Sequence, residues 1–206
     1  MILQQNQPPD DNLLFNAATV WNSLIDYRYV ITYGYKCKLH NIYLTFQPED
    51  FQHLAGFQYL KDIRLPRYNS RSLFYHILGC EISHETIVKG TQYETMVKPR
   101  LLVLSILKNI LDNDFNLFSF NPRFLPFHTA IKADYLISYH SEFTSFVFMI
   151  KANEDNLGNT DCICHSVFTA GERHYEVNQR SLTILKKQRL QLSTNETDIL
   201  FDRLKH

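Results

Sequence analysis

The sequence predicts an α+β fold in which N-terminal helices and a helical middle segment pack on a curved antiparallel β-sheet. Three observations carry that reading. Leu13, Leu14, Ala17, Val20, Trp21, Leu24 and Ile25 recur at helical spacing. The nearly continuous apolar run from Arg100 to Leu111, RLLVLSILKNIL, is too long for a typical strand and fits a buried helix. From Phe115 onward the apolar pattern changes to a period of two, the signature of strands with one buried face. With 12 Tyr and 15 Phe against a single Trp, the composition also favours a sheet packed through aromatic side chains.

A chain of 206 residues is expected to form a single domain over residues 1–206, burying roughly 70% of its unfolded surface. The 21 basic and 21 acidic residues cancel, so no whole-molecule field draws the protein onto nucleic acid or an anionic membrane, and any nucleic-acid site must be local. The opening MILQQNQPPDDN has neither the basic flank nor the apolar core of an export signal, and no run approaches the ~20 apolar residues of a membrane span. The 4 cysteines are too few for a disulfide framework in a chain of this length. A cytoplasmic protein without a membrane partner is the expectation.

Taken in order, the polar, proline-containing first ten residues lead to a helix capped by Asp11 or Asn12 and running to about Tyr27. Tyr29 to Tyr35 and Leu39 to Phe46, separated by a turn at Gly34 to Lys38, predict a β-hairpin. Its second strand feeds a helix from Pro48 to about Leu60. Pro48 suits the first helical position, Glu49 and Asp50 complement the helix dipole, and Phe51, Leu54, Ala55, Phe57 and Leu60 supply an apolar arc. This completes a first section, residues 1–65. A helical middle, 66–112, follows: a helix from Ser70, a short one over Ile82 to Val88 capped by Ser83, and one long buried helix from Lys98 to Leu111. Residues 113–190 then read as a short strand over Leu117 to Phe120 and four longer ones, Lys132 to Tyr139, Thr144 to Lys151, Asp161 to Phe168 and Ser181 to Leu190, forming an antiparallel meander. The tail, 191–206, is weakly amphipathic.

His53 falls on the margin of its helix's apolar arc, beside Gly56. A glycine inside a helix costs roughly 1 kcal/mol relative to alanine, so something is expected to approach the backbone closely on the His53 side. The alternative is a histidine merely hydrogen-bonded at a core edge. Strict alternation places Lys132, Asp134, Leu136 and Ser138 on one strand face, and Cys162, Cys164, Ser166 and Phe168 on one face of another, opposite Ile163, His165 and Val167. If both polar-containing faces line the same side, Lys132 and Ser166 come near His53. Cys162, Cys164 and His165 are zinc-ligand types, but their spacing lacks the second paired motif of a closed site, so no metal and no cofactor is expected. There is no glycine-rich phosphate loop, no Gly-x-Ser-x-Gly and no His-Glu-x-x-His. Lys186, Lys187 and Arg189, with Arg180, form the one basic cluster, read either as a solvated strand or as a phosphate-binding stripe.

Several of these stretches together resemble a known family. FQPEDFQHLAGFQYLKDI (Phe46 to Ile63), KADYLI (Lys132 to Ile137), SVF (Ser166 to Phe168) with Tyr175 after it, and SLTILKKQRL (Ser181 to Leu190) are similar to the phage-associated group of the barnase/EndoU/colicin/RelE-like, or BECR-fold, nucleases. The resemblance implies a curved antiparallel sheet that carries the active site, and a ribonuclease activity of toxin or phage-effector type. It assigns His53, Lys132 and Ser166 to catalytic positions, and Tyr175 and Thr183 beside them. Lys61, Lys186 and Lys187 complete the expected set as substrate-binding cations. Two features depart from the family: Gln52 and His53 stand where paired histidines are common, and the net charge is zero.

The expected reaction is metal-independent RNA cleavage. A base takes the 2′-hydroxyl proton, the oxygen attacks the adjacent phosphate, an acid protonates the leaving 5′-oxygen, and a cation offsets the added charge. His53 is expected as base or acid, Lys132 as the phosphate-stabilising cation, and Ser166 or Tyr175 as the orienting hydrogen-bonder. RNA is the expected substrate, and an immunity or antitoxin protein a further expected partner. The alternative is a non-catalytic interaction module of phage origin that binds a host protein or RNA on a degenerate nuclease scaffold, with aromatic residues as interface anchors.

Overall fold

Helix α1 (Leu13–Ile25) begins where the Asn12 side chain accepts a hydrogen bond from the Phe15 amide, satisfying one of the otherwise orphaned N–H groups of the first turn. A computed structural model describes residues 12–156 and 158–204; the N-terminal stretch that includes Asp11, the second candidate cap, lies outside the described residues. The predicted stripe is the buried one: Leu14, Ala17, Trp21 and Leu24 are almost fully enclosed. Trp21 packs edge-on against Phe46 with ring centroids 5.3 Å apart and donates its indole N–H to the Gln47 carbonyl at 2.9 Å, so its one polar atom is not stranded by burial.

Strands β1 (Tyr27–Tyr35) and β2 (Lys38–Thr45) form the predicted hairpin. Its two turn residues, Lys36 and Cys37, have φ of 48° and 59°, the left-handed pair that a two-residue turn needs to follow the twist of its strands. Beyond it come α2 (Asp50–Leu54), α3 (Ser70–Leu78), α4 (His84–Val88), α5 (Lys98–Ser105) and α6 (Leu107–Asp112). Asn69 and Ser83 cap α3 and α4 through their side chains. The single long helix expected over 98–111 is instead two. Ser105 turns its hydroxyl back to the Leu102 carbonyl at 2.9 Å, and Ile106 leaves helical geometry at φ −117° and ψ 7°. None of the helices among the described residues is long and apolar enough to cross a membrane.

The remaining strands are β3 (Asn116–Ser119), β4 (Tyr135–His140), β5 (Thr144–Glu154), β6 (Asn159–Thr169), β7 (Arg180–Gln191) and β8 (Thr197–Asp202). They join β1 and β2 in the order β1-β2-β6-β5-β4-β3-β7-β8, and a further pairing of β1 with β7 closes seven of them into a barrel. This is more specific than the curved antiparallel sheet expected. The meander comprises β3, β4, β5 and β6, the pairing of β2 with β6 is parallel, and β7 pairs with β3 and β1 rather than with β6. Closure has a physical rationale, because an open sheet leaves rows of unpaired backbone groups at each edge. On β7, β1 takes one edge, while β3 takes Arg180 to Leu182 and β8 takes Lys186 to Leu190 along the other. The tail thus contributes a strand.

Alternation on β4 and β5 divides two clusters. Tyr135, Ile137, Val147 and Met149 join the main core with α1 and α5, whereas Leu136, Phe146 and Phe148 point the other way, into a second cluster with Phe120 and Tyr175. The seam between the helices and β6, where α2 and α5 both pack, holds the principal cavity.

Candidate active site

The predicted helix from Pro48 to Leu60 is cut short after one turn. Gly56 turns left-handed at φ +83°, and Phe57 to Tyr59 continue as a 3-10 turn. Gly56 is therefore not a helix-interior residue but a stop, and it does mark a close approach: a Cβ there would lie 2.9 Å from Arg100 Cδ and 3.1 Å from the Met96 carbonyl oxygen. Phe51 and Leu54 anchor α2 in the core, which leaves His53 exposed at the rim of the cavity. Asp50, one turn back, is half-buried; burial raises its carboxyl pKa, opposed by a Gln47 backbone hydrogen bond and the His53 charge.

Across the seam stands His165. In the β5–β6 ladder Phe148 pairs with Ser166 while Met149 pairs with Cys164, so His165 is the extra residue of a β-bulge. A one-residue slip reverses every side chain beyond it. Cys162, Cys164 and Val167 therefore all face the main core, and Ser166 no longer shares a face with the cysteines as strict alternation required. The bulge aims His165 at His53, with ring centroids 5.9 Å apart and planes at 40°. Burial, and behind it the charge of His53, holds the His165 imidazole below the ordinary histidine range. Burial pushes the Cys162 thiol up to about 12 and the Cys164 thiol higher still, so both are protonated core residues at neutral pH.

The cavity between these elements has a volume of about 600 Å³. His53 and Tyr59 form one wall, His165, Ser166 and Phe168 the opposite one, and Arg100 lies between them. Arg100 comes from the first turn of α5, stacked against Tyr59 at 5.0 Å and Phe168 at 5.7 Å, and donates to the Met96 carbonyl. Burial lowers its pKa, but a guanidinium remains charged at any physiological pH. Arg173, over Phe127 at 5.3 Å, and Tyr175 close the far end. Tyr175 is largely buried in the second cluster, with ring centroids of Phe146, Phe148 and Phe168 all within 5.5 Å.

Of the expected residues, the cavity brings together His53, Ser166 and Tyr175. Lys132 is exposed just outside it, next to the lining residue Ile131, because regular β4 pairing starts only at Tyr135. Lys61 is exposed beyond the 3-10 turn and does not line the cavity. Thr183, Lys186 and Lys187 belong to β7, which the ring separates from β6 by two strands one way and three the other, so they occupy a different wall. Three basic side chains of the cavity were not anticipated. His165 was placed on the wrong face because a bulge is invisible to strict alternation. Arg173 lies in a polar loop without a signal. Arg100 did carry one, as a charge at the head of an otherwise apolar helix.

Two facing imidazoles beside a half-buried guanidinium form a set suited to proton transfer around a phosphate. This set is compatible with a BECR-type nuclease, and it is comparison with family models that gives the class. Residues 13–204 match phage-Barnase-EndoU-ColicinE5/D-RelE like nuclease 4, and the chain belongs to that phage-associated family. Comparison with curated proteins and with solved structures returns no match.

Proposed function

We propose that the cavity is the active site of a metal-independent endoribonuclease. The observation that carries this reading is the approach of His53 and His165, 5.9 Å between centroids, beside Arg100. His165, held below the ordinary histidine range, is neutral at pH 7 and acts as the base that removes the ribose 2′-hydroxyl proton. The 2′-oxygen then attacks the adjacent phosphorus, the P–O5′ bond breaks, and His53 donates the proton that the leaving 5′-oxygen takes up. Arg100 offsets the charge that accumulates on the non-bridging oxygens, the role expected of Lys132 from the sequence. Its stacking on Tyr59 and Phe168 fixes the guanidinium before substrate arrives, which lowers the reorganisation needed in the transition state. Ser166 orients the phosphate by hydrogen bonding.

Incubation with a mixed RNA pool in EDTA is expected to yield 2′,3′-cyclic phosphate ends, and DNA of the same sequence to remain intact because it lacks the attacking hydroxyl. His53→Ala protein that cuts RNA as fast as the wild type would remove the assignment.

A further inference from the structure

A second pocket, about 300 Å³, opens between β3, β7 and the end of β8, on a different wall from the His53 cavity. Lys187 lines it with only 2% of its surface exposed. Its ammonium donates to the Asn113 carbonyl and sits 4.7 Å from the centre of the Phe115 ring. Neighbouring cations have carboxylates at hand: Lys186 reaches Asp202 at 3.7 Å, Lys108 reaches Asp112 at 2.6 Å, and Arg189 reaches Asp112 at 2.8 Å and Asp198 at 2.7 Å. Among the described residues none lies within ion-pair distance of Lys187, although it is the most buried of the four. A buried ammonium without a counter-ion is costly, and removing one from water is offset best by an anion of its own. Into the same pocket open the hydroxyl-bearing Ser181 and Thr183 and the exposed Arg203, with Asp114 as the one acidic group of the lining.

We propose that this pocket binds a phosphate group, with Lys187 and Arg203 as the paired cations and Ser181 and Thr183 as hydrogen-bond donors. The phosphate belongs to a free nucleotide, to inorganic phosphate or to a nucleic-acid backbone; the chemistry recognised is the same, and the site is independent of the nuclease reading. Burial brings the Lys187 pKa down to about 8, opposed by Asp114 and Asp112. The charged groups that face it are Asp112 and Asp114, whose negative charge favours the protonated ammonium, and Arg203 on the opposite side of the charge balance.

The test is NMR titration of the full chain with inorganic phosphate, a 5′-mononucleotide and a short DNA oligonucleotide, which 2′-hydroxyl attack cannot cleave. Saturable amide shifts are expected at Ser181, Thr183 and Lys187, with affinity roughly ten-fold or more weaker at pH 9.5 than at 7.5, as the binding-competent fraction falls. Arg203→Gln and Thr183→Val should each weaken binding several-fold, and His53→Ala should leave it unchanged. The arm that binds most tightly identifies the source of the phosphate. Shifts confined to the His53 cavity, no saturable shift in any arm, or affinity insensitive to both pH and Arg203→Gln would overturn the proposal.

Discussion

His53 and His165 face one another across the α2/β6 seam although 111 positions separate them in the sequence, and each is held there by a local irregularity. One sits on a helix stopped by a left-handed glycine, the other on a bulge. The rings need opposite protonation states to act as acid and base. Because His165 is held below the ordinary histidine value of about 6.5, the acid limb of a kcat/KM profile should fall below pH 6.5. His165→Ala should lower the rate by roughly 10²- to 10⁴-fold and remove that limb. A profile unchanged in shape would deny His165 the role of base.

The same shift has a consequence for stability. A histidine whose folded pKa lies below its unfolded value binds its proton more readily in the unfolded chain. His165 therefore destabilises the fold as pH drops through about 6.5 and below, and contributes nothing of this kind above it. Urea midpoints measured from pH 5 to 8 should show a steeper acid decline for wild type than for His165→Gln. Parallel curves would mean that the ring is as hydrated as in an open chain.

Arg100 and Lys132 make opposed predictions about the cation. Arg100→Lys retains charge but loses the planar stack on Tyr59 and Phe168, and should reduce kcat by roughly 10²- to 10³-fold with folding largely preserved. Lys132→Ala, an exposed side chain outside the cavity, should change kcat less than about three-fold and stability within about 0.5 kcal/mol. The reverse ranking would restore the sequence-based assignment.

What the sequence revealed depended on the range over which its signals act. Asn12 and Ser83 cap helices a few residues away, and the turn within Gly34 to Lys38 joins adjacent strands, so each was legible from nearest neighbours, whereas the cap from Asn69 was not read. Barrel closure was not, since pairing Ile31 with Lys187 depends on how far the whole sheet twists. The parallel pairing of β2 with β6 brings Leu44 beside Cys162 across the entire helical middle, with no local residue to announce it. At the site, His53 and Ser166 were found through family-like motifs. The slip at His165 came from an unpaired residue whose cause is the ladder itself, and it exchanged the faces that alternation had assigned.

Lys187 offers a test in the alkaline range. Its folded pKa of about 8 lies below the ordinary lysine value of about 10.4, so over that interval the unfolded chain holds a proton that the folded chain does not. Its contribution to stability consequently improves as pH rises from about 8. Cys162 and Cys164, kept protonated by burial, act in the opposite direction over the same range. The clean observable is the difference between wild type and Lys187→Met: the variant should be relatively more stable at pH 7.5, and its advantage should shrink by pH 9.5. A constant difference would place the ammonium in contact with solvent.

Gly56 links the fold to the chemistry, and its replacement should damage both. Alanine at φ +83° costs roughly 1–2 kcal/mol in backbone strain alone. The added Cβ would also stand 2.9 Å from Arg100 Cδ and 3.1 Å from the Met96 carbonyl, the same carbonyl to which Arg100 donates. The backbone carbonyl moves less readily than the side chain, so Arg100 should give way and leave its stack. For a chain of this size, a loss of about 2 kcal/mol lowers the melting temperature by roughly 4–8 °C. Activity measured well below that transition should fall further than the unfolded fraction explains. The double variant Gly56→Ala/Arg100→Ala separates the two effects: with the arginine gone only the strain and the carbonyl contact remain, and Gly56→Ala should cost less stability than it does in the wild type. Equal costs in both backgrounds would show that Arg100 does not rest on Gly56, and that the glycine serves only to end the helix.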